Sequence, residues 1–179
     1  TSDHTDVTWH PVDERYLMYT FTRYDASTYD YIESGIRVCN LKPPGGGTAR
    51  SETVVETDDA DDGKWEKAIG ESHWARGGKR FVYTQGGKLF LLNFSTQTGR
   101  ASDNSGDESP GRRGLELTPA GVDYVSMPRF SPGGAEVAFV DGNGHLWIVN
   151  ADSSSVNRRV YSGGFVQGYN WSADGKGLI

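Results

Sequence analysis

Gly70-Glu71-Ser72-His73-Trp74 invites comparison with the G-x-S-x-G elbow that exposes a nucleophilic serine. It lacks the closing glycine, and Trp74 would block the tight strand-to-helix turn such a serine needs. The segment is read as a strand leading into the next unit, not as a catalytic centre. The four histidines, His4, His10, His73 and His145, form neither H-x-x-x-H nor H-E-x-x-H, so zinc hydrolysis has no local support. His145 opens a strand after a Gly-rich turn, where a surface residue is expected. Asp58-Asp59-Ala60-Asp61-Asp62-Gly63 is the densest acidic stretch. A calcium loop with its glycine at 63 would want acids at 58, 60 and 62 and Glu at 69, but Ala60 and Ile69 stand there. Asp103 to Glu108 lacks the glycine at its sixth place. Both are read as solvated loops, with weak divalent binding left open. No catalytic, cofactor or metal residue is assigned.

Tyr24, Tyr29 and Tyr31, with Asp25 and Asp30 among them, offer a different chemistry: large contact area joined to a polar tip. They lie on an insertion expected to form an extended hairpin. Two readings stay open, a partner-binding surface or rings packed on their own sheet. The basic pairs Arg112-Arg113 and Arg158-Arg159 would need convergence that spacing cannot show. Asn93-Phe94-Ser95 and Asn170-Trp171-Ser172 match the glycosylation pattern, which is common by chance and carries no weight here.

The elements that must hold these residues follow from composition. The 24 glycines among 179 residues are too many for a helical bundle, while 12% aromatics suit an all-β protein with many turns. A net charge of −6 argues against nucleic acid as a partner. Apolar runs such as Leu89-Phe90-Leu91-Leu92 and Leu146-Trp147-Ile148-Val149 are far too short for a membrane-spanning helix. The single cysteine, Cys39, excludes an internal disulfide and any multi-cysteine metal site. The polar Thr1 to Asp6 start lacks both an initiating Met and a signal pattern, as expected if a leader is removed or the chain begins inside a longer one.

Four segments align without gaps on an aromatic: Trp9-His10-Pro11-Val12-Asp13, Trp74-Ala75-Arg76-Gly77-Gly78, Phe130-Ser131-Pro132-Gly133-Gly134 and Trp171-Ser172-Ala173-Asp174-Gly175. The fifth place holds Gly or Asp, which accept turn geometry that other residues resist. Seven residues after each aromatic a strand-like run begins, at Tyr16, Phe81, Val137 and Leu178. A third strand ends in Asn in three units: Ile36–Asn40, Leu89–Asn93 and Leu146–Asn150. A weaker fourth follows at Thr53–Val55, Leu115–Leu117 and Arg159–Tyr161. Four antiparallel strands per unit, repeated, predict an all-β fold, a β-propeller of four-stranded antiparallel blades. Blade 1 is expected over about 5–57, blade 2 over about 70–118, blade 3 over about 125–162, and the start of a fourth over about 168–179, in one partial propeller. The stretches Arg23 to Ser34 and Thr98 to Gly114 are expected to be loops that stretch the unit spacing.

Phe130-Ser131-Pro132-Gly133-Gly134-Ala135-Glu136-Val137-Ala138-Phe139-Val140 resembles the F-S-P-D-G-x-x-I-A-F repeat of TolB-type propellers. His145-Leu146-Trp147-Ile148-Val149-Asn150-Ala151-Asp152 and the following Ser153 to Val160 resemble the segment that comes next in that repeat. The pattern is also similar to the N-terminal propellers of dipeptidyl peptidases of the prolyl oligopeptidase family. The match is strong from Pro128 to Ile179, fair from Ser72 to Asn93 and weak before that; Gly133 and Val12-Asp13 depart from it.

Propellers close with four to eight blades. The chain is therefore expected to be a fragment of a larger propeller or a subunit covered by partners. The resemblance implies a non-catalytic, periplasmic or extracellular module that binds protein partners, with Tyr24, Tyr29 and Tyr31 as the first candidates for contact. The alternative is a propeller gating substrate entry to a serine peptidase domain that lies outside these residues. A sugar-binding or lyase propeller would need inward-facing His or acidic groups at matching places in successive blades, and the repeats carry none.

Overall fold

The structure, a computed structural model, describes residues 2–43, 45–58, 68–109 and 113–179. The first sheet runs in the order β1 (Ser2–Trp9), β2 (Tyr16–Tyr24), β3 (Tyr31–Asn40) and β4 (Arg50–Asp58). The second contains β5 (Ile69–Trp74), β6 (Arg80–Gln85) and β7 (Lys88–Ser95), with β8 (Arg100–Ser102) and β9 (Leu115–Glu116) both pairing with β7. The third runs β10 (Ser126–Phe130), β11 (Glu136–Val140), β12 (Leu146–Asn150) and β13 (Ser153–Tyr161). All pairings are antiparallel between chain neighbours, save that β7 also takes β9. A bridge between Trp171 and Leu178 then repeats the opening hairpin.

Strand alternation explains why the sheets stack. Phe81 and Tyr83 of β6, with Phe90 and Leu92 of β7, turn towards the first sheet and join Tyr16, Met18, Ile36 and Val38 in one buried cluster. Val82, Leu89 and Leu91, the intervening residues, turn the other way and meet Val137, Phe139 and Val149 of the third sheet. Ala138, Val140 and Ile148 face onward to Tyr169, with Trp171 and Leu178 packed beside them. The second and third sheets thus bury apolar side chains on both faces, each against a neighbour. The signature aromatics show this directly: Trp74 is 6% exposed against the first sheet, whereas Trp9, at the same repeat position, is 59% exposed.

The repeated turn is one structure in three units. Gly78, Gly134 and Gly175 occupy the fifth place with φ of 68°, 73° and 71°, and their N–H groups bond to the carbonyls of Ala75, Ser131 and Ser172. The first unit differs. Its turn closes from His10 N to Tyr16 O, one residue longer than the Ala75–Arg80 and Ser131–Glu136 closures, with Asp13 accepting from the Arg15 N–H and guanidinium. Leu17, not Tyr16, therefore stands opposite Trp9, as Phe81 does opposite Trp74. The gap-free alignment of the first unit is out by one.

Two expected loops also change. Arg23 to Ser34 extends β2 and β3, leaving only Asp25–Asp30 as the connection. The Thr98 to Gly114 stretch contains β8, because Gly99 (φ 74°) turns the chain back onto Asn93–Ser95. The fourth place of that sheet is thus shared by two short strands. Of the acidic run at 58–63, all but Asp58 lies outside the described residues, as does Arg112.

Candidate functional site

The inner strands β1, β5 and β10 lie at one edge of their sheets and follow one another side by side, β1 beside β5 and β5 beside β10. Each carries a bulge: register breaks between Thr5 and Thr8, between Ile69 and Ser72, and between Ser126 and Arg129. Bulges re-aim side chains and leave main-chain groups without a ladder partner. Asp6 and Met127, at the same repeat position, take φ of 50° and 53° there.

The free edge of β10 is satisfied by side chains from both neighbours. Met127 N–H donates to the Glu71 carboxylate, and Phe130 N–H donates to His73 Nδ1 at 3.3 Å. From the other side, the Tyr169 hydroxyl donates to Met127 O at 2.5 Å and Trp171 Nε1 donates to Arg129 O at 3.1 Å. Glu71 and His73 thereby supply acceptors that a further strand would give, while Tyr169 and Trp171 add donors to β10 carbonyls.

These contacts gather Glu71, His73, Arg129 and Tyr169 into one electrostatic group. Burial, with the nearby Arg129 charge, lowers the His73 imidazole from 6.5 to about 4. Burial pushes the Tyr169 phenol upward, Arg129 draws it down, and Glu71 adds to the upward push. A neutral His73 whose Nδ1 accepts from Phe130 carries its proton on Nε2. At the ends of the same strands lies a cavity of about 380 Å³, bordered by His73, Trp74, Arg76, Arg129, Asn170 and Trp171, with the Phe130-Ser131-Pro132 turn and Ala173. His73, Arg129 and Asn170 each precede the signature aromatic, and Arg76, Pro132 and Ala173 each stand two places after it. The repeat thus builds the cavity from equivalent positions. The matching place holds His, then Arg, then Asn, so no single residue type repeats there.

Ser72 does not form a nucleophile with this group: it is on β5, and its buried hydroxyl has no hydrogen-bond partner among the described residues. The other histidines stand elsewhere and make local contacts. His10 Nε2 bonds to Gly78 O at 2.8 Å, His4 packs edge-on against Tyr19, and half-buried His145 bonds through Nδ1 to Asp141 at 3.2 Å. Among the described residues no three His, Cys, Asp or Glu side chains stand where they could hold a metal ion. No described helix is long and apolar enough to cross a membrane. Asp103 is a half-buried residue at the start of a turn, held below the usual carboxylate range by Ser105 and Asp107. Arg158 pairs with Glu136 at 2.7 Å, and Arg159 lies over the Trp147 ring.

The structure divides the three tyrosines. Tyr31 is 6% exposed, and its hydroxyl bonds to Ser34 Oγ and Thr57 Oγ1, each at 2.9 Å. Tyr24 is half-buried opposite it. Tyr29 is 74% exposed at the tip, with φ of 61°.

No protein-family model matches the sequence, and no curated protein matches it. Solved structures do share its arrangement. A Bacteroides uniformis protein assigned as a 6-phosphogluconolactonase aligns over 99% of this chain and 47% of its own, with 15% identity and a TM-score of 0.61. TolB from Acinetobacter baumannii aligns over 99% and 37%, with 15% identity and a TM-score of 0.54. An acylaminoacyl peptidase from Pyrococcus horikoshii aligns over 92% and 26%, with 10% identity and a TM-score of 0.54. The chain spans less than half the length of each. The stacked four-stranded sheets and these neighbours define the fold: this is a β-propeller chain, and TolB is among the proteins that share its architecture.

Proposed function

We propose that the chain is a non-catalytic interaction module whose blades hold the Asp25–Asp30 loop against a protein partner, within an extracytoplasmic assembly. The observation that carries this reading is the presentation of Tyr29. The Asp25 carboxylate accepts from Ser27 N at 2.8 Å, Ser27 Oγ at 2.5 Å and Thr28 N at 3.1 Å, and Tyr29 N–H closes onto Asp25 O at 3.0 Å. A fixed loop offering an exposed ring loses little freedom on binding, so more of the contact energy is expressed as affinity. The left-handed backbone at Tyr29 is uncommon for a non-glycine residue, as at many recognition sites. The extracytoplasmic setting rests on the TolB-like repeat alone.

The peptidase alternative gains no specific support, because the likeness to the Pyrococcus enzyme is one of fold and is shared with proteins of other kinds. The test places a photo-crosslinking amino acid at position 29 of the intact protein in its native cell, with the equally exposed Tyr124 as control. Crosslinks to one protein from position 29 and not from 124, lost on deleting Ser27 and Thr28, are expected. No crosslink at 29, or the same products from both sites, would remove the reading.

A further inference from the structure

We propose that the cavity at the inner-strand ends binds a small organic carboxylate, held by Arg76 and Arg129. Five other arginines, Arg15, Arg23, Arg80, Arg100 and Arg158, have carboxylate partners. Arg76 and Arg129, like Arg37, Arg50, Arg113 and Arg159, have no ion pair among the described residues, and these two are exposed and border this cavity. No Asp or Glu borders it, although acids outnumber bases by 24 to 18 in the chain. Two guanidinium groups bordering one opening favour an anion by charge, and each can meet a carboxylate with paired N–H donors.

The remaining walls define the rest of the ligand. Neutral His73 has its Nδ1 taken by Phe130, so its Nε2–H is the donor left for a bound oxygen. Asn170 adds an amide, and Trp171 and Pro132 add apolar surface. A volume of about 380 Å³ lies in the range that holds small ligands. One carboxylate on a short carbon chain satisfies all of these groups, whether it is a free acid or the end of a peptide. The site is independent of the Tyr29 loop, so failure of either proposal leaves the other standing.

The test follows the Trp171 indole and His73 imidazole NMR signals while the full chain is titrated with glutarate, an acidic peptide ending in Glu, the same peptide amidated with its Glu replaced by Gln, and inorganic phosphate. Saturable shifts with glutarate or the acidic peptide are expected. Arg76→Ala and Arg129→Ala should each weaken binding by about tenfold or more, while Arg100→Ala leaves it unchanged. Glutarate binding marks a free acid as the ligand; binding of the acidic peptide alone marks a chain end. No shift at about 10 mM, shifts with phosphate alone, shifts with the uncharged peptide, or binding by either arginine variant as tight as by the parent would each overturn the proposal.

Discussion

His10 of the first blade is seated beneath Gly78 of the second: its Nε2 donates to Gly78 O at 2.8 Å, and a Cβ at position 78 would stand 2.1 Å from His10 Cε1. The same imidazole accepts the N–H of Asp13 through Nδ1 at 3.0 Å, and it packs edge-to-face with Trp74 at 4.8 Å between centroids. One buried ring therefore ties the lengthened first turn to the glycine turn of the next repeat.

Gly78→Ala adds a left-handed alanine and expels His10, so unfolding free energy should fall by roughly 2–4 kcal/mol. Gly46→Ala, at φ 74° with open space around it, should lose only about 1 kcal/mol. Urea unfolding of both variants checks the difference, and equal losses would mean that His10 does not occupy that place.

Asp141 is buried and accepts from His145 N, Trp147 Nε1 and Asn143 N, each at 2.9 Å. Burial alone would raise its carboxyl, but these donors and the His145 ring together hold it below the usual carboxylate range. Its folded value being depressed, the stability it contributes is present above the unfolded value near 3.8 and is lost as pH falls through the folded one. Asp141→Asn should cost about 1–3 kcal/mol at pH 7 and make the acid limb of the stability curve shallower. Chemical unfolding between pH 2 and pH 7 measures both effects.

The His73 ring should titrate in NMR near pH 4, well below the ordinary 6.5. Between these values the unfolded chain takes the proton and the folded chain does not, so stability declines as pH falls from about 6.5 to about 4. Arg129→Gln should move the ring's midpoint upward, and His73→Gln should flatten that part of the curve. A midpoint near 6.5 in the parent would contradict the burial of this ring.

Tyr31→Phe removes a hydroxyl shared by Ser34 and Thr57 and should cost about 1 kcal/mol or more. Tyr29→Ala should leave the unfolding midpoint almost unchanged, since its ring is exposed. Thermal melts of the two proteins separate the supporting tyrosine from the displayed one.

The stacked sheets were legible because their punctuation is local. Trp74, Phe130 and Trp171 with Gly78, Gly134 and Gly175 mark each turn within five residues, and alternation along Phe81–Tyr83 assigns both faces of a strand. The extra residue before Leu17 was hidden, since Tyr16 and Leu17 are equally apolar and only pairing with Trp9 separates them. The short β8 lacks an apolar run and forms because Gly99 returns the chain to β7. The cavity escaped for another reason. His73, Arg129 and Asn170 differ in chemistry and meet only when the inner strands stand side by side, so their common offset from the aromatic was the one signal available.

The side-by-side placement of the inner strands is the claim on which the cavity and the blade order depend, and amide hydrogen exchange at Met127 and Phe130 tests it most directly. Both N–H groups point off the free edge of β10 and are protected only if Glu71 and His73 of the neighbouring blade accept them. The account predicts slow exchange at both, with Glu71→Ala releasing Met127 and His73→Ala releasing Phe130. Exchange in the parent protein as fast as in exposed turns, or unaffected by either substitution, would contradict it.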